Sequence, residues 1–136
     1  MFEDRQWQSV PGAPANLLHE LSAVAPVSLP ESYYQLLRFS DGGEGPLPVN
    51  PYNICLDASA EVIEGIRTQN SGRSDLNGFL VFGGNGGGEL LAFDIRDQDP
   101  WPIVTIDMVA GARSAETVAP DFDAFLGLMG VSDPAE

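Results

Sequence analysis

The apolar positions in the second half of the chain occur as short runs bounded by turn-forming residues. Two such runs, residues 79–82 and 90–93, flank residues 83–88, of which five are glycine. Gly and Asn adopt left-handed backbone at little cost, so this pattern predicts a β-hairpin with the glycines in its turn. The β-branched run at 103–106 and the run at 52–56 predict two further strands.

The remaining apolar positions follow the period of an amphipathic helix in four places. The four predicted apolar faces are Leu17, Leu18, Leu21 and Val24; Tyr33, Leu36 and Leu37; Val62, Ile63 and Ile66; and Phe122, Phe125, Leu126 and Met129. Pro30 and Pro120 open the second and fourth helices, because a missing N–H costs nothing in a first turn. Asp57 or Ser59 is expected to cap the third helix. The proline-rich residues 45–51 are predicted to lack regular structure.

Strands cluster in the second half of this order and do not alternate regularly with helices, which favours an α+β fold. We expect a single domain over residues 1–136, with a mainly antiparallel sheet, a central glycine-turn hairpin and about four covering helices. Its core should span about residues 17–129, and both ends, including residues 132–136, are expected to be mobile.

Charge narrows the range of partners. The chain has 20 acidic residues against six arginines and no lysine, a formal charge of -14. Such a charge disfavours nucleic acid and anionic membranes as partners and favours a basic protein, although it also serves solubility alone. The single cysteine, Cys55, excludes a disulfide framework, and residues 1–10 lack the apolar run of a signal peptide. We expect a cytoplasmic protein.

The sequence offers little support for catalysis or for a cofactor. A dinucleotide loop counted from Gly84 would need glycine where Glu89 stands, and no lysine is present to complete a phosphate-binding loop. His19 lies off the apolar face of its helix and is expected at the surface. The acids at 94, 97 and 99 do not have the spacing of a calcium loop. We therefore expect no enzyme activity, no metal and no cofactor, although an acid pair outside any recognisable motif remains an alternative.

Two groups of acidic and aromatic residues are candidates for contact with a partner protein. Polar loop residues that include an aromatic can anchor an interface, but they also occur in solvated turns that bind nothing. The first group is Asp41, Glu44 and Tyr52, and the second is Asp94, Asp97, Asp99 and Trp101.

Four segments in order, residues 29–43, 79–95, 102–108 and 118–129, resemble the SUKH superfamily of cell-wall assembly regulators and bacterial immunity proteins. The residues that match its motifs are Leu29 and Pro30 at a helix start, Gly42 and Gly43 after that helix, Gly83, Gly87 and Gly88 in the hairpin, Asp94 at a strand end, and Phe122 and Phe125 in the last helix. The resemblance implies an α+β fold that acts by binding a protein, without a general catalytic set. The sequence departs from the family pattern where residues 46–51 are proline-rich instead of aromatic-rich.

The leading expectation is therefore a non-enzymatic immunity protein that binds and neutralises a bacterial toxin domain. The toxin would present a basic surface, as a nuclease does. The alternative is a regulatory adaptor of the same fold that binds a protein or peptide, and the sequence leaves the oligomeric state open.

Overall fold

The computed structural model of the protein describes residues 1–132. Its centre is a six-stranded sheet in which the strands follow chain order and every neighbouring pair is antiparallel. The strands are β1 (Gly43–Pro46), β2 (Asn53–Leu56), β3 (Phe79–Gly84), β4 (Glu89–Asp94), β5 (Ile103–Asp107) and β6 (Glu116–Ala119). The helices are α1 (Ala15–Val24), α2 (Glu31–Phe39), α3 (Ser59–Arg67), the single turn α4 (Gln69–Gly72) and α5 (Phe122–Leu126). The predicted α+β fold is confirmed.

The central hairpin is confirmed, but its turn closes differently from the expectation. Among residues 83–88 only Gly86 has a positive φ, at 81°. The Oδ1 atom of Asn85 accepts hydrogen bonds from the N–H groups of Gly87 at 2.8 Å and Glu89 at 3.1 Å. One asparagine side chain, together with a single left-handed glycine, therefore shapes this turn.

Alternation along the strands divides the core between the two faces of the sheet. Leu91 and Phe93 of β4 pack under the helices, whereas Ala92 belongs to a smaller cluster on the opposite face. The helical side is built on a connected cluster of five rings, in which Phe82 and Phe122 each contact the other four: Tyr33, Phe82, Phe93, Phe122 and Phe125. The opposite face is covered by two short 3₁₀ turns, Ser74–Leu76 and Gly111–Ser114.

Strands β1 and β6 were not predicted from the sequence, and helix α5 is shorter than expected. The expectation that residues 45–51 lack regular structure is wrong for Gly45 and Pro46. Both belong to β1, which pairs with β2 over four positions. Strand β6 lies in a segment predicted to be irregular and pairs with β5. Helix α5 ends at Leu126, although Met129 beyond it is still buried as the apolar spacing predicted.

The cap of α3 was also assigned wrongly. Its N-cap position is Ala58, which has no side chain that could accept a hydrogen bond. The carboxylate of Asp41 accepts the N–H of Ser59 at 2.6 Å, and Glu61 accepts the N–H of Ala58 at 3.0 Å. Neither Asp57 nor Ser59 therefore caps the helix, which takes its N-terminal acceptor from a residue 18 positions earlier.

The N-terminal segment covers one edge of the sheet. Gln8 forms two backbone hydrogen bonds with Glu44 of β1, at 2.8 and 3.2 Å. The guanidinium of Arg5 donates to the carbonyl oxygens of Leu126 and Met129 at 2.7 and 3.1 Å. The Gln8 hydrogen bonds occupy part of the outer edge of β1 and so hinder its pairing with another chain, whereas those of Arg5 attach the same segment to the end of α5. Of the residues whose mobility was predicted at the C-terminus, 133–136 lie outside the described part of the chain.

Candidate partner-binding site

The second predicted contact group borders a groove that we call the tryptophan groove. It has a volume of about 190 Å³ and lies where the β4–β5 loop meets the segment before α2 and the start of α5. Its lining residues are Ser28, Pro30, Phe93, Asp99, Pro100, Trp101, Asp121, Phe122 and Asp123. The groove therefore combines an apolar floor and walls with three carboxylates.

The indole of Trp101 has a fixed position beside this groove. Its Nε1–H donates to the carbonyl oxygen of Asp97 at 3.0 Å, four residues back along the same loop. The side chain is only partly buried, so the loop presents an aromatic surface whose polar atom is already satisfied. An aromatic ring held in this way suits contact with an apolar or cationic group.

The three carboxylates of the groove differ in their hydrogen bonds and salt bridges. The Oδ1 atom of Asp121 accepts the N–H of Ala124 at 2.8 Å and so caps α5. Asp99 and Asp123 are exposed, and within residues 1–132 neither takes part in a salt bridge. The groove therefore carries negative charge that no cation of the described chain neutralises.

Asp94 is not part of this groove. The guanidinium of Arg96 donates to both of its carboxylate oxygens, at 2.9 and 2.8 Å, and lies 4.6 Å from the centre of the Phe79 ring. These hydrogen bonds hold the pKa of the Asp94 carboxyl below its ordinary value. Phe79 belongs to the cluster on the face away from the helices, so the structure separates Asp94 from Asp99 and Trp101.

The first predicted contact group is spread along β1 and β2. Asp41 lies just before β1 near Leu56, whereas Tyr52 lies just before β2, which starts opposite Pro46. Opposite ends of a four-residue ladder are about 10 Å apart, so these residues do not form one compact cluster. Glu44 stands between them and its Oε2 accepts a hydrogen bond from the Asn53 side chain at 3.2 Å.

Tyr52 has the most exposed ring of the two groups. Tyr52 as a whole residue is 58% exposed, and its backbone has a positive φ of 68°. A left-handed aromatic residue is unusual and persists only where its surroundings fix it. Hydrogen bonds from Tyr52 N–H to Val49 O at 2.7 Å and from Leu47 N–H to Tyr52 O at 3.0 Å provide that constraint.

Sequence reasoning missed Asp121 and Asp123 as members of the candidate site. Both stand some twenty positions beyond Trp101, in a segment that was interpreted only as a helix start. The observable signal was two acids alternating with Phe122 directly after a proline. It does not by itself indicate which loop this helix start faces.

The described residues form no metal centre. No three His, Cys, Asp or Glu side chains within residues 1–132 come close enough together to hold a metal ion. His19 is exposed on α1, as predicted. Burial is the main influence that raises the pKa of the Cys55 thiol, with Glu44 adding to it, and a raised pKa disfavours the reactive thiolate. No helix in the described part of the chain has the length and apolar character needed to span a bilayer.

Taken together, the fold and the site define a small α+β protein with one antiparallel sheet and an acidic, aromatic groove at its surface. The model of the SMI1 / KNR4 family (SUKH-1) matches residues 12–127, and the chain belongs to this family. No curated protein matches the chain significantly. The resemblance drawn from the four sequence segments is thus confirmed.

The family-motif positions have visible roles in the fold. Leu29, Phe122 and Phe125 are buried, and Pro30 immediately precedes α2. Gly42 and Gly43 follow α2 with φ values of 118° and 115°. Gly83 lies in β3, where a Cβ atom would be 2.7 Å from the Cys55 carbonyl oxygen, whereas Gly87 and Gly88 lie in the hairpin turn.

Proposed function

We propose that the protein is an immunity protein that binds a toxin domain in the cytoplasm and neutralises it without catalysis. The observation that carries this proposal is the tryptophan groove, where carboxylates without a cationic partner in residues 1–132 surround a fixed indole. The SUKH superfamily includes toxin-immunity proteins, which supports the same function.

The charge of the chain suggests which kind of toxin it would bind. A nuclease needs a basic cleft for phosphates, and an acidic protein is complementary to such a cleft. With a formal charge of -14, complementary charge would raise the association rate more than the affinity. Asp97, Asp99 and Trp101 are the proposed contacts at the groove, and Glu44 and Tyr52 are the proposed contacts on the β1–β2 side.

Co-expression with the product of the neighbouring gene tests this function. We expect that product to arrest growth alone, that this protein restores growth, and that the two proteins co-purify. The association rate should fall as salt increases, because charge steering is screened. Failure to restore growth, with both proteins present at comparable amounts, would contradict the proposal.

A peptide-binding adaptor is the second candidate function, and a different groove favours it. Strand β2 pairs with β3 only at Gly83 and Gly84, so residues 79–81 have a strand neighbour only on the β4 side. A groove of about 380 Å³ opens along this part of β3, with the amide side chains of Gln69, Asn70 and Asn77 among its lining. An unpaired strand edge can accept an extended peptide. A harmless neighbouring gene product and a peptide bound along β3 would favour the adaptor.

A further inference from the structure

We infer that the tryptophan groove receives an arginine side chain of the partner protein. The inference rests on the proposed function in taking the partner to be a protein, and it adds the chemical group that the groove recognises. The groove is apolar along its floor and acidic at its rim, and arginine has the matching distribution of an apolar stem and a cationic head.

No arginine of the described chain lines this groove, and five of the six arginines are engaged elsewhere, whereas Arg113 lies in the second 3₁₀ turn. Arg38, Arg67, Arg73 and Arg96 form salt bridges with Glu31, Glu20, Asp75 and Asp94, and Arg5 donates to backbone carbonyl oxygens. None of these arginines lines the groove. Asp99 and Asp123 thus present charge to an incoming cation without first having to release an internal one.

The flat surfaces of the groove favour a guanidinium over an ammonium group. Trp101 is held by its hydrogen bond to the Asp97 carbonyl oxygen, and the rings of Pro30 and Pro100 form further walls. A planar guanidinium stacks on an aromatic face and can donate to two carboxylates at once, whereas an ammonium is compact and more strongly hydrated. Arginine should therefore bind better than lysine.

The test is an NMR titration of the isolated protein with N-acetyl-arginine amide. The chain has two tryptophans, and Trp7, whose Nε1–H donates to Ser40 Oγ at 3.3 Å, lies outside the groove and serves as an internal reference. We expect the indole N–H resonance of Trp101 to shift with a Kd on the order of 10 mM, while that of Trp7 stays unchanged. N-acetyl-lysine amide should shift Trp101 less, and N-acetyl-citrulline amide, which has a similar shape without charge, should have little effect.

Matched variants separate recognition from overall charge. Asp99→Asn combined with Asp123→Asn should weaken the binding of the arginine probe at least about fivefold, because both rim charges are lost. Glu64→Gln combined with Asp4→Asn removes the same charge from residues that do not line the groove and should change the affinity less than twofold. Asp121 is left intact because it caps α5.

The inference is overturned if Trp101 does not respond up to about 100 mM arginine probe, a range that covers binding as weak as about 1.4 kcal/mol. It is equally overturned if citrulline and arginine probes act alike, or if the two double variants behave the same. Because this titration uses the isolated protein, a negative result together with growth rescue would reject the arginine site and retain the immunity function. A response of Trp101 to the arginine probe without growth rescue would retain the arginine site and reject the immunity function.

Discussion

Asp57 is a carboxylate that the fold places in an unfavourable position. It follows β2 and is only partly exposed, and no hydrogen bond reaches its side-chain oxygens from residues 1–132. Burial raises the pKa of Asp57 to about 6, and the nearby charge of Glu61 adds to this shift. The hydroxyl of the buried Tyr33, whose own pKa is raised by burial and then by Asp57, has no hydrogen-bond partner. Ionised Asp57 therefore destabilises the folded state.

Replacing this carboxylate should stabilise the protein at neutral pH. The folded state binds the Asp57 proton more tightly than the unfolded chain, whose carboxyl titrates near 3.8. Proton binding by Asp57 therefore stabilises the folded state most below pH 3.8, and this stabilisation is lost as pH rises through about 6. We expect Asp57→Asn to raise the free energy of unfolding at pH 7 by about 1 kcal/mol, because solvent reaches part of the side chain and limits the effect. At pH 4 the variant should differ little from the wild type.

Urea unfolding at pH 4 and at pH 7 measures this difference. Asp97→Asn, at an exposed loop position, is the matched control and should show a much smaller gain at pH 7. An Asp57→Asn variant that is less stable than wild type at pH 7 would mean that the ionised carboxylate has a stabilising partner after all.

Residue roles could be inferred from the sequence where they depend on neighbours in the chain. Asp99 and Trp101 are two positions apart on one loop, so their proximity was predictable. Asp123 reaches the same groove only because the sheet brings the start of α5 beside that loop. The role of Asp41 as acceptor at the start of α3 could not be predicted either, because its hydrogen bond joins residues 18 positions apart that only the fold brings together.

At the scale of elements, the predictions succeeded where hydrophobic patterns were strong. β3, β4 and β5 carry apolar or β-branched runs, and each lies close to its predicted position. β1 has the sequence GEGP, which lacks strand-forming residues, and β6 has the sequence ETVA, in which only Thr117 and Val118 favour a strand. These two strands form because a stronger neighbouring strand offers its hydrogen-bonding edge. Their existence follows from the assembled sheet, and local sequence carries little sign of it.

The link between Asp41 and α3 gives an element-scale prediction. Asp41→Ala removes the acceptor for the Ser59 N–H, and Ala58 cannot replace it. We expect the free energy of unfolding to fall by about 1–2 kcal/mol, the usual cost of losing an N-terminal cap. Chemical denaturation should show this loss, whereas Asp41→Asn, which keeps an oxygen acceptor, should lose less than half as much.

This pair of variants also separates two roles of Asp41, which remains a predicted partner contact. A loss of partner binding with Asp41→Asn at nearly unchanged stability would indicate direct contact through the charge. Equal stability of Asp41→Ala and wild type would contradict the capping role.

At the scale of the whole molecule, excess negative charge opposes folding. The chain carries a formal charge of -14, and the folded state brings these charges closer together than the unfolded chain does. Its salt bridges lie largely at the surface, for example between Arg38 and Glu31, whose side chains are 54% and 65% exposed. Such pairs contribute about 0–1 kcal/mol each, so they compensate only partly for the repulsion.

Added salt should therefore stabilise the protein. Sodium chloride screens both the repulsion and the surface ion pairs, but the repulsion among many acids is the larger effect at a net charge of this size. Between about 10 and 300 mM sodium chloride we expect a rise in Tm of about 3–5 °C, equivalent to about 1 kcal/mol for a domain of this length. Calorimetry at pH 7 measures the rise, and the Glu64→Gln, Asp97→Asn double variant should show a smaller one because it carries less charge. A Tm that falls with salt would mean that the surface ion pairs stabilise the fold by more than the repulsion destabilises it. The acidic residues would then stabilise the folded state through these pairs.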